Sequence, residues 1–423
     1  MAQLPRTTRV ESLAFVRRVL LPPVAKGVII RRPHAVRAAQ RLDLDRRGVR
    51  YLERLRDRYG PGPLLVGGRY AVILDPAHVR RVLAETPEPF GTETPEKRAA
   101  LAHFEPRNVL ISHGPERAER RRFHEQALDT GHHEPRLAGS LAGRVREETA
   151  RLLAHAHETR ALTWTEFARA WSRIVRLTIF GEVARDDEHL SALTTRLRHH
   201  ANWAFLHRQR KALRAEFLQH IDALLGRAEA GSLAAVVATI PRSEATAVAD
   251  QVAQWLFAFD PAGITTYRTL ALLSSHTTYA RADDRDLLRA CMHDAVRLYP
   301  TTPLLLRATT AETAWEHGTL PAKKTLIVFT PFFHRDAERL PFADRFAPEL
   351  WQSGEADRWT LVPFSGGPAV CPGRELVLFL GSEMLSTLLA GASFRITSSQ
   401  TLDPARPLPA TLDHFRLQFA VES

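Results

Sequence analysis

The residues best equipped for chemistry lie in the run Phe364-Ser365-Gly366-Gly367-Pro368-Ala369-Val370-Cys371-Pro372-Gly373, which opens onto a long apolar stretch. It reads F-x-x-G-x-x-x-C-x-G, then helix. One thiolate in a Gly/Pro-rich loop at a helix N-terminus is the chemistry of an axial haem ligand. N–H groups of the loop and first turn can hydrogen-bond the sulfur, and the helix dipole favours its charge. Gly367 and Gly373 let the backbone turn tightly beside a flat group. Phe364 can shield one side of the sulfur. The plain alternative is an inert packing cysteine before a helix. Four fixed positions and the following helix speak against it.

Further runs supply other chemistry. Phe259-Asp260-Pro261-Ala262-Gly263-Ile264-Thr265-Thr266 lies inside a long apolar helical stretch. Proline within a helix costs about 3 kcal/mol and glycine roughly 1 kcal/mol relative to Ala. Two such breakers predict a kinked or broken helix with threonine hydroxyls at the break. In His293-Asp294-Ala295-Val296-Arg297-Leu298-Tyr299-Pro300, an acid and an arginine three residues apart share one helix face. The run His113 to Arg122 places Arg117 and Arg121 on one helix face, and Arg307 follows Arg297 by ten residues. Guanidinium groups suit bidentate binding of carboxylates.

In this order and at these spacings, the runs resemble the cytochrome P-450 (haem-thiolate) family from about Tyr59 onward. The resemblance implies a mainly α fold with a minor β region, with haem b between the kinked long helix and the cysteine-ligand loop. Cys371 would be the axial ligand of the haem iron, its thiolate favouring O–O cleavage. Ala262, Gly263 and Thr266 match the family's oxygen groove, A/G-G-x-D/E-T. Thr265 departs from it, standing where a carboxylate is usual. Asp260 is a poor substitute, about 120° away from Thr266 around the helix. Asp294 and Arg297 resemble the family's acid–arginine pair, with Asp for the usual Glu. Arg345, in the run Phe342 to Pro348, would be their partner in a buried charge cluster. Arg117, Arg121 and Arg307 would bind haem carboxylates, whereas Ala369 stands where another basic residue is usual. The implied activity is insertion of one oxygen atom from O2 into a mostly apolar small molecule. Electrons would come from NAD(P)H through a ferredoxin reductase and an acidic ferredoxin-type partner, which would face Arg117, Arg120, Arg122 and Arg374. Leu101, Phe104, Ala258, Leu304 and Leu305 would line an apolar substrate pocket. A peroxide-dependent or rearranging enzyme without redox partner stays open because of Thr265. A non-catalytic haem binder stays open too, opposed by Thr266.

These residues need elements to hold them. Residues 35–58 read as a charged helix ended by the Gly/Pro cluster 60–63. Leu64–Val66 and Tyr70–Leu74 read as a hairpin, and Asp75-Pro76 as a helix start running to Ala84. Residues 86–110 look irregular. Helices follow from Glu116 to about Leu225, over Ala245–Ser274 and over Asp284–Leu298. Short strands at Leu304–Ala308, Ala314–Trp315 and Thr325–Phe329 precede a meander, the cysteine loop, a helix over Arg374–Leu389 and the last strands. We expect one domain over 1–423, in four parts: the N-terminal segment and first helix (1–58), a β-rich part with a substrate-lining loop (59–110), a helical core (111–300), and the haem-ligand region with the last helix and strands (301–423).

Composition is compatible with this reading. The chain has 423 residues, 44% of them apolar and 25% charged, as in ordinary globular proteins. Two cysteines, Cys291 and Cys371, make no disulfide framework and fit a reducing compartment, so a cytoplasmic monomer is expected. There is no signal-peptide pattern. The apolar patch Phe15–Ile30 is interrupted by Arg17, Arg18, Pro22, Pro23 and Lys26, so no spanning helix and no membrane partner are expected. The net charge of +11 comes with no nucleic-acid fold signature, so no nucleic acid is expected. A solvated surface with a local patch for an acidic partner is the reading.

Overall fold

The computed structural model describes residues 4–204, 206–358, 360–400 and 402–422. Helices α1 (Arg9–Phe15) and α2 (Leu21–Lys26), joined by a π-helical turn, precede α3 (Pro33–Arg41) and α4 (Leu44–Tyr59). The charged stretch expected as one helix is therefore two, with Asp43 at φ +49° between them. Strands β1 (Leu64–Val66) and β2 (Tyr70–Val72) pair as an antiparallel hairpin. Gly67 and Gly68 turn it, both at positive φ. Helix α5 (Pro76–Ala84) starts where the sequence placed it, with Asp75 accepting from the Ala77 N–H at 2.7 Å. The stretch 86–110 is less irregular than expected, holding β3 (Phe90–Gly91) and α6 (Pro95–Leu101).

Next come α7 (Gly114–Ala127), α8 (Ala138–Thr159), β4 (Ala161–Thr163), α9 (Trp164–Phe180), α10 (Glu188–Ala201), α11 (Lys211–Leu225) and α12 (Leu233–Thr239). They lead to the long α13 (Val248–Ser275) and to α14 (Arg285–Leu298). Strands β5 (Leu304–Thr309), β6 (Thr313–Trp315), β7 (Gly318–Leu320) and β8 (Thr325–Phe329) follow, then α15 (Thr330–His334) and α16 (Glu349–Gln352). Helix α17 (Arg374–Gly391) and strands β9 (Ser393–Ile396) and β10 (Gln418–Glu422) come last.

The chain forms two compact units. One comprises Met1–Lys97, Val296–Cys371 and Pro407–Asp413; the other comprises Arg98–Ala295, Pro372–Arg406 and His414–Ser423. The first unit is built on a five-stranded sheet in the order β1-β2-β8-β5-β3, with β2 parallel to β8 and the other pairs antiparallel. Its core joins Phe15, Leu52, Val72, Phe90, Phe329 and Phe332. The second unit is helical. Helix α13 is buried around most of its circumference and packs on α9, α11 and α17, while α8 packs on α9 and α17. A three-stranded sheet, β4-β10-β9, flanks it. Tyr267 of α13 ties the two layers together by donating its hydroxyl to Leu417 O at 2.9 Å. Among the described residues no helix is long and apolar enough to cross a membrane.

Candidate functional site

The cysteine loop belongs to the first unit. Ser365 at φ +65° and Gly367 at φ +61° fold it into a tight turn. The Cys371 N–H closes the turn on Phe364 O at 3.0 Å, and the Val370 N–H bonds Gly367 O at 3.0 Å. Gly367 is pressed on the end of α5: a Cβ there would lie 2.1 Å from Leu83 O, a backbone atom that cannot yield. Gly373 differs from the expectation. It sits at φ −94° as the N-cap of α17, and a Cβ there would meet only Leu128 at 3.7 Å, so its backbone requires no glycine. Cys371 is partly exposed and Cys291 fully buried.

Arg307 of β5 is buried beside this loop. It donates to Ser365 Oγ and to Thr86 Oγ1, each at 3.1 Å. Leu304 and Leu305 lie half-buried on the same strand, opposite Phe329 and Val328.

Asp294 and Arg297 are fully buried on α14. Arg297 donates to three backbone carbonyls, His334 O at 3.1 Å, Ala343 O at 3.0 Å and Arg345 O at 2.6 Å, with its guanidinium 5.3 Å from the Phe342 ring centre. The expected role of Arg345 is corrected here. Its guanidinium is exposed and bonds Pro341 O, so Arg345 enters the cluster through its carbonyl. The acid that carries charge in this segment is its neighbour Asp344, paired with Arg335 and, at 2.9 Å, with Arg46. His334 was not foreseen. Fully buried, it donates from Nδ1 to Arg297 O at 3.3 Å and accepts the Val362 N–H on Nε2 at 3.0 Å. The imidazole thus links the Arg297 turn to the segment entering the cysteine loop. A lone histidine gives no spacing signal that could have revealed it.

Helix α13 and its threonines belong to the second unit. Where a kinked or broken helix was expected, α13 continues as one helix through Pro261. Side chains add hydrogen bonds to carbonyls around the proline. The Trp171 indole N–H of α9 donates to Phe259 O at 2.8 Å, and Gly263 makes room for that indole, since a Cβ there would lie 2.5 Å from it. Thr265 Oγ1 donates to Pro261 O and Thr266 Oγ1 to Ala262 O, each at 2.9 Å. Thr266 is fully buried against α17, where a Cβ on Gly381 would come within 2.7 Å of its hydroxyl. Thr265 lies on the side of α13 that also carries the partly exposed Gln254 and Pro261 and the exposed Ala258. Asp260 is tied to Arg198 of α10. Burial pushes its carboxyl up by more than Arg198 pulls it down.

Leu101 and Phe104 are buried, and Phe104 stacks on Phe257 next to Ala258 at 4.9 Å between ring centres. Arg117 is buried on α7. Burial first, then Arg121 one turn on, lowers its pKa. Arg121 bonds Glu125 Oε1 at 2.6 Å. The expected exposed patch is smaller than four arginines. Arg120 is buried and held by Ala245 O at 2.8 Å and Ser112 Oγ at 2.5 Å, while Arg122 is exposed and Arg374 bonds Glu375 at 2.6 Å. Burial pushes Glu375 up, but Arg374 and Arg289 outweigh it and hold the carboxyl below its usual range.

A buried polar network between the segment before α7 and the first half of α13 was also missed. Gln251 bonds Arg107 O and the Val109 N–H, and its Oε1 meets His124 Nε2 at 3.1 Å. Trp255 Nε1 donates to His124 Nδ1 at 2.9 Å. Burial pushes His124 down to about 4, so it is neutral near pH 7 with Nε2 as its donor. Burial and then Asp250 push Glu105 well above the usual carboxylate range.

The donor set fits a thiolate-ligated haem. A partly exposed thiol ends a turn that only glycine at 367 permits, and buried guanidinium groups stand ready for carboxylate arms.

Known proteins agree. A retinoic acid-bound cyanobacterial CYP120A1 shares the fold with a TM-score of 0.70 at 16% identity, over 88% of this chain and 93% of that one. CYP175A1 from Thermus thermophilus matches with a TM-score of 0.67 at 20% identity, over 99% and 100%. The fold is therefore that of the haem-thiolate cytochromes. Residues 271–407, which hold Asp294, Arg297, Arg307 and Cys371 but not Thr266, match the family model described as cytochrome P-450. Over that segment the chain is similar to the cytochrome P-450 family, as it is in fold. Among curated relatives, cytochrome P-450 52A13 of Debaryomyces hansenii is 28% identical over 33% of this chain and 29% of its own length. Cyclooctat-9-en-7-ol 5-monooxygenase of Streptomyces melanosporofaciens is 28% identical over 30% and 28%. The matches span less than a third of these relatives.

Proposed function

We propose that the chain is a haem-thiolate monooxygenase that inserts one oxygen atom of O2 into a mostly apolar small molecule. The second atom leaves as water, with two electrons and two protons consumed. The observation that carries this reading is Cys371, partly exposed at the end of a turn pinned by Gly367 and Arg307. Haem b, when bound, supplies the binding and activation of dioxygen.

The remaining tasks fall to the chain. Cys371 holds the iron through its sulfur. Arg307, Arg117 and Arg121 hold the cofactor's carboxylates, with one contact fewer at Ala369. Leu101, Phe104, Ala258, Leu304 and Leu305 exclude water and favour an apolar substrate, a character shared by the cyclic alcohol in the Streptomyces relative's name. The Thr266 hydroxyl donates its hydrogen bond to Ala262 O. Its oxygen lone pairs can therefore accept from a water that delivers protons. Electrons come from NAD(P)H through a ferredoxin reductase and an acidic ferredoxin-type protein, met by Arg122 and Arg374. A cytoplasmic monomer completes the proposal.

The reduced carbon monoxide complex tests the ligand. Cys371→Ala should lose the absorption band typical of thiolate ligation, and Cys291→Ala should keep it; the reverse would show the assignment to be wrong. Coupling tests the hydroxyl. Thr266→Ala should divert reducing equivalents to hydrogen peroxide with substrate binding nearly intact, and Thr265→Ala should change coupling less, measured as product formed per NAD(P)H consumed. If neither substitution matters, a peroxide-driven or rearranging enzyme becomes the better reading. Asp260, held by Arg198, and the hydroxyl at Thr265 are the observations that favour that second reading.

A further inference from the structure

The first forty-two residues hold a surface that the site does not use. They carry nine Lys and Arg side chains against one acid, Glu11, so eight of the chain's eleven net positive charges sit in a tenth of its length. Glu11 is itself engaged, capping α1 with Thr8 and accepting from Tyr59. The charge excess is therefore concentrated at this end of the sequence.

Helix α1, the π-helical turn Val16–Leu20 and α2 make one run with two opposite faces. Phe15, Val19, Pro22 and Pro23 are buried on one side. The other side presents Val10, Leu13, Val16, Leu21 and Val24, three residues apart except for a step of five across the π-helical turn, with Val28 just beyond α2, all exposed, Val10 at 78% and Leu13 at 71%. Arg9 and Arg17 are exposed among them. Seven of the ten exposed large apolar side chains among the described residues fall between Val10 and Leu42. Isolated exposed aliphatics need no explanation; a line of them along one helix does.

The chemistry of the face selects its occupant. It is aliphatic, with none of the aromatic anchors that dominate protein hot spots. Its rim is cationic. A second copy of the chain would set two such basic surfaces against each other. An anionic bilayer offers hydrocarbon for the aliphatics and phosphate for the arginines.

We propose that this face docks the protein on anionic membranes. Helices α1 and α2 lie in the plane of the interface, the aliphatic side chains enter the acyl layer, and Arg6, Arg9 and Arg17 sit at headgroup level. The contact is peripheral and does not span the bilayer. It is independent of the catalytic reading.

The test is co-sedimentation of the full chain with phosphatidylglycerol–phosphatidylcholine vesicles and with phosphatidylcholine alone. The protein should sediment with the anionic vesicles and remain in solution with the neutral ones. Leu13→Glu/Leu21→Glu/Val24→Glu should weaken vesicle affinity by about tenfold or more. Arg9→Glu/Arg17→Glu should weaken it most at low salt. Circular dichroism and melting temperature should stay unchanged in both, since every altered side chain is exposed. Val10→Trp gives a second reading: its fluorescence should shift to the blue with anionic vesicles and be quenched by brominated lipid. Absence of sedimentation with anionic vesicles would overturn the proposal, as would sedimentation that ignores both variants. A concentration-dependent dimer dissolved by the triple substitution would also overturn it, assigning the face to a second copy.

Discussion

The cysteine loop of the first unit and helix α13 of the second are held in place by different means. The loop is fixed through backbone. Gly367 touches the Leu83 carbonyl, Arg297 gathers three carbonyls, and His334 receives a backbone N–H. Helix α13 is fixed through side chains: an indole answers one carbonyl and two threonine hydroxyls answer others. Backbone atoms cannot move aside without unfolding what they belong to, whereas side chains can repack. Errors in the loop should therefore cost much more than errors in the helix.

The largest effect should come from Arg297→Ala. Three buried carbonyls would lose their donor at once, about 1–3 kcal/mol each before relaxation, so a net loss of about 3–5 kcal/mol is expected. Urea titration should show it, together with mostly haem-free or insoluble protein. Normal stability and haem loading would remove the loop's supposed advantage.

Gly367→Ala comes next. Positive φ and a backbone clash together should cost roughly 2–4 kcal/mol. Gly373→Ala is its control, expected within about 0.5 kcal/mol of the parent. Equal effects at both positions would mean that the Gly367 contact is not what shapes the turn.

Trp171→Phe probes the helix side. It keeps an aromatic ring over Gly263 and removes only the donor to Phe259 O. A loss of about 1–2 kcal/mol is expected, with haem loading intact. If it instead matched Arg297→Ala, the contrast between backbone and side-chain support would fail.

Much of this was legible beforehand because it is local. The β1–β2 hairpin announces itself in Gly67-Gly68, the start of α5 in Asp75-Pro76, and the ligand loop in a fixed motif. Arg307 was singled out by its resemblance to the family's strand arginine, and it lies buried on β5 beside the loop. What escaped depends on contacts between distant positions. His334 and Trp171 are single residues without periodicity. Gln251 meets His124 across 127 positions of chain. Arg345 was chosen by residue type, yet type cannot tell whether a position contributes its side chain or its carbonyl. Pro261 and Gly263 predicted a kinked or broken helix, and propensity ignores the packing on neighbouring helices that keeps α13 continuous. The apolar patch at Phe15–Ile30 was weighed only as a spanning segment, so its use as a surface was overlooked.

The two cysteines offer a practical consequence. Cys291 is fully buried and Cys371 is partly exposed. A thiol reagent added to the native protein has a single accessible target, and that target is the sulfur an iron would occupy. Labelling stoichiometry then becomes a gauge of cofactor occupancy that needs no substrate, no redox partner and no turnover.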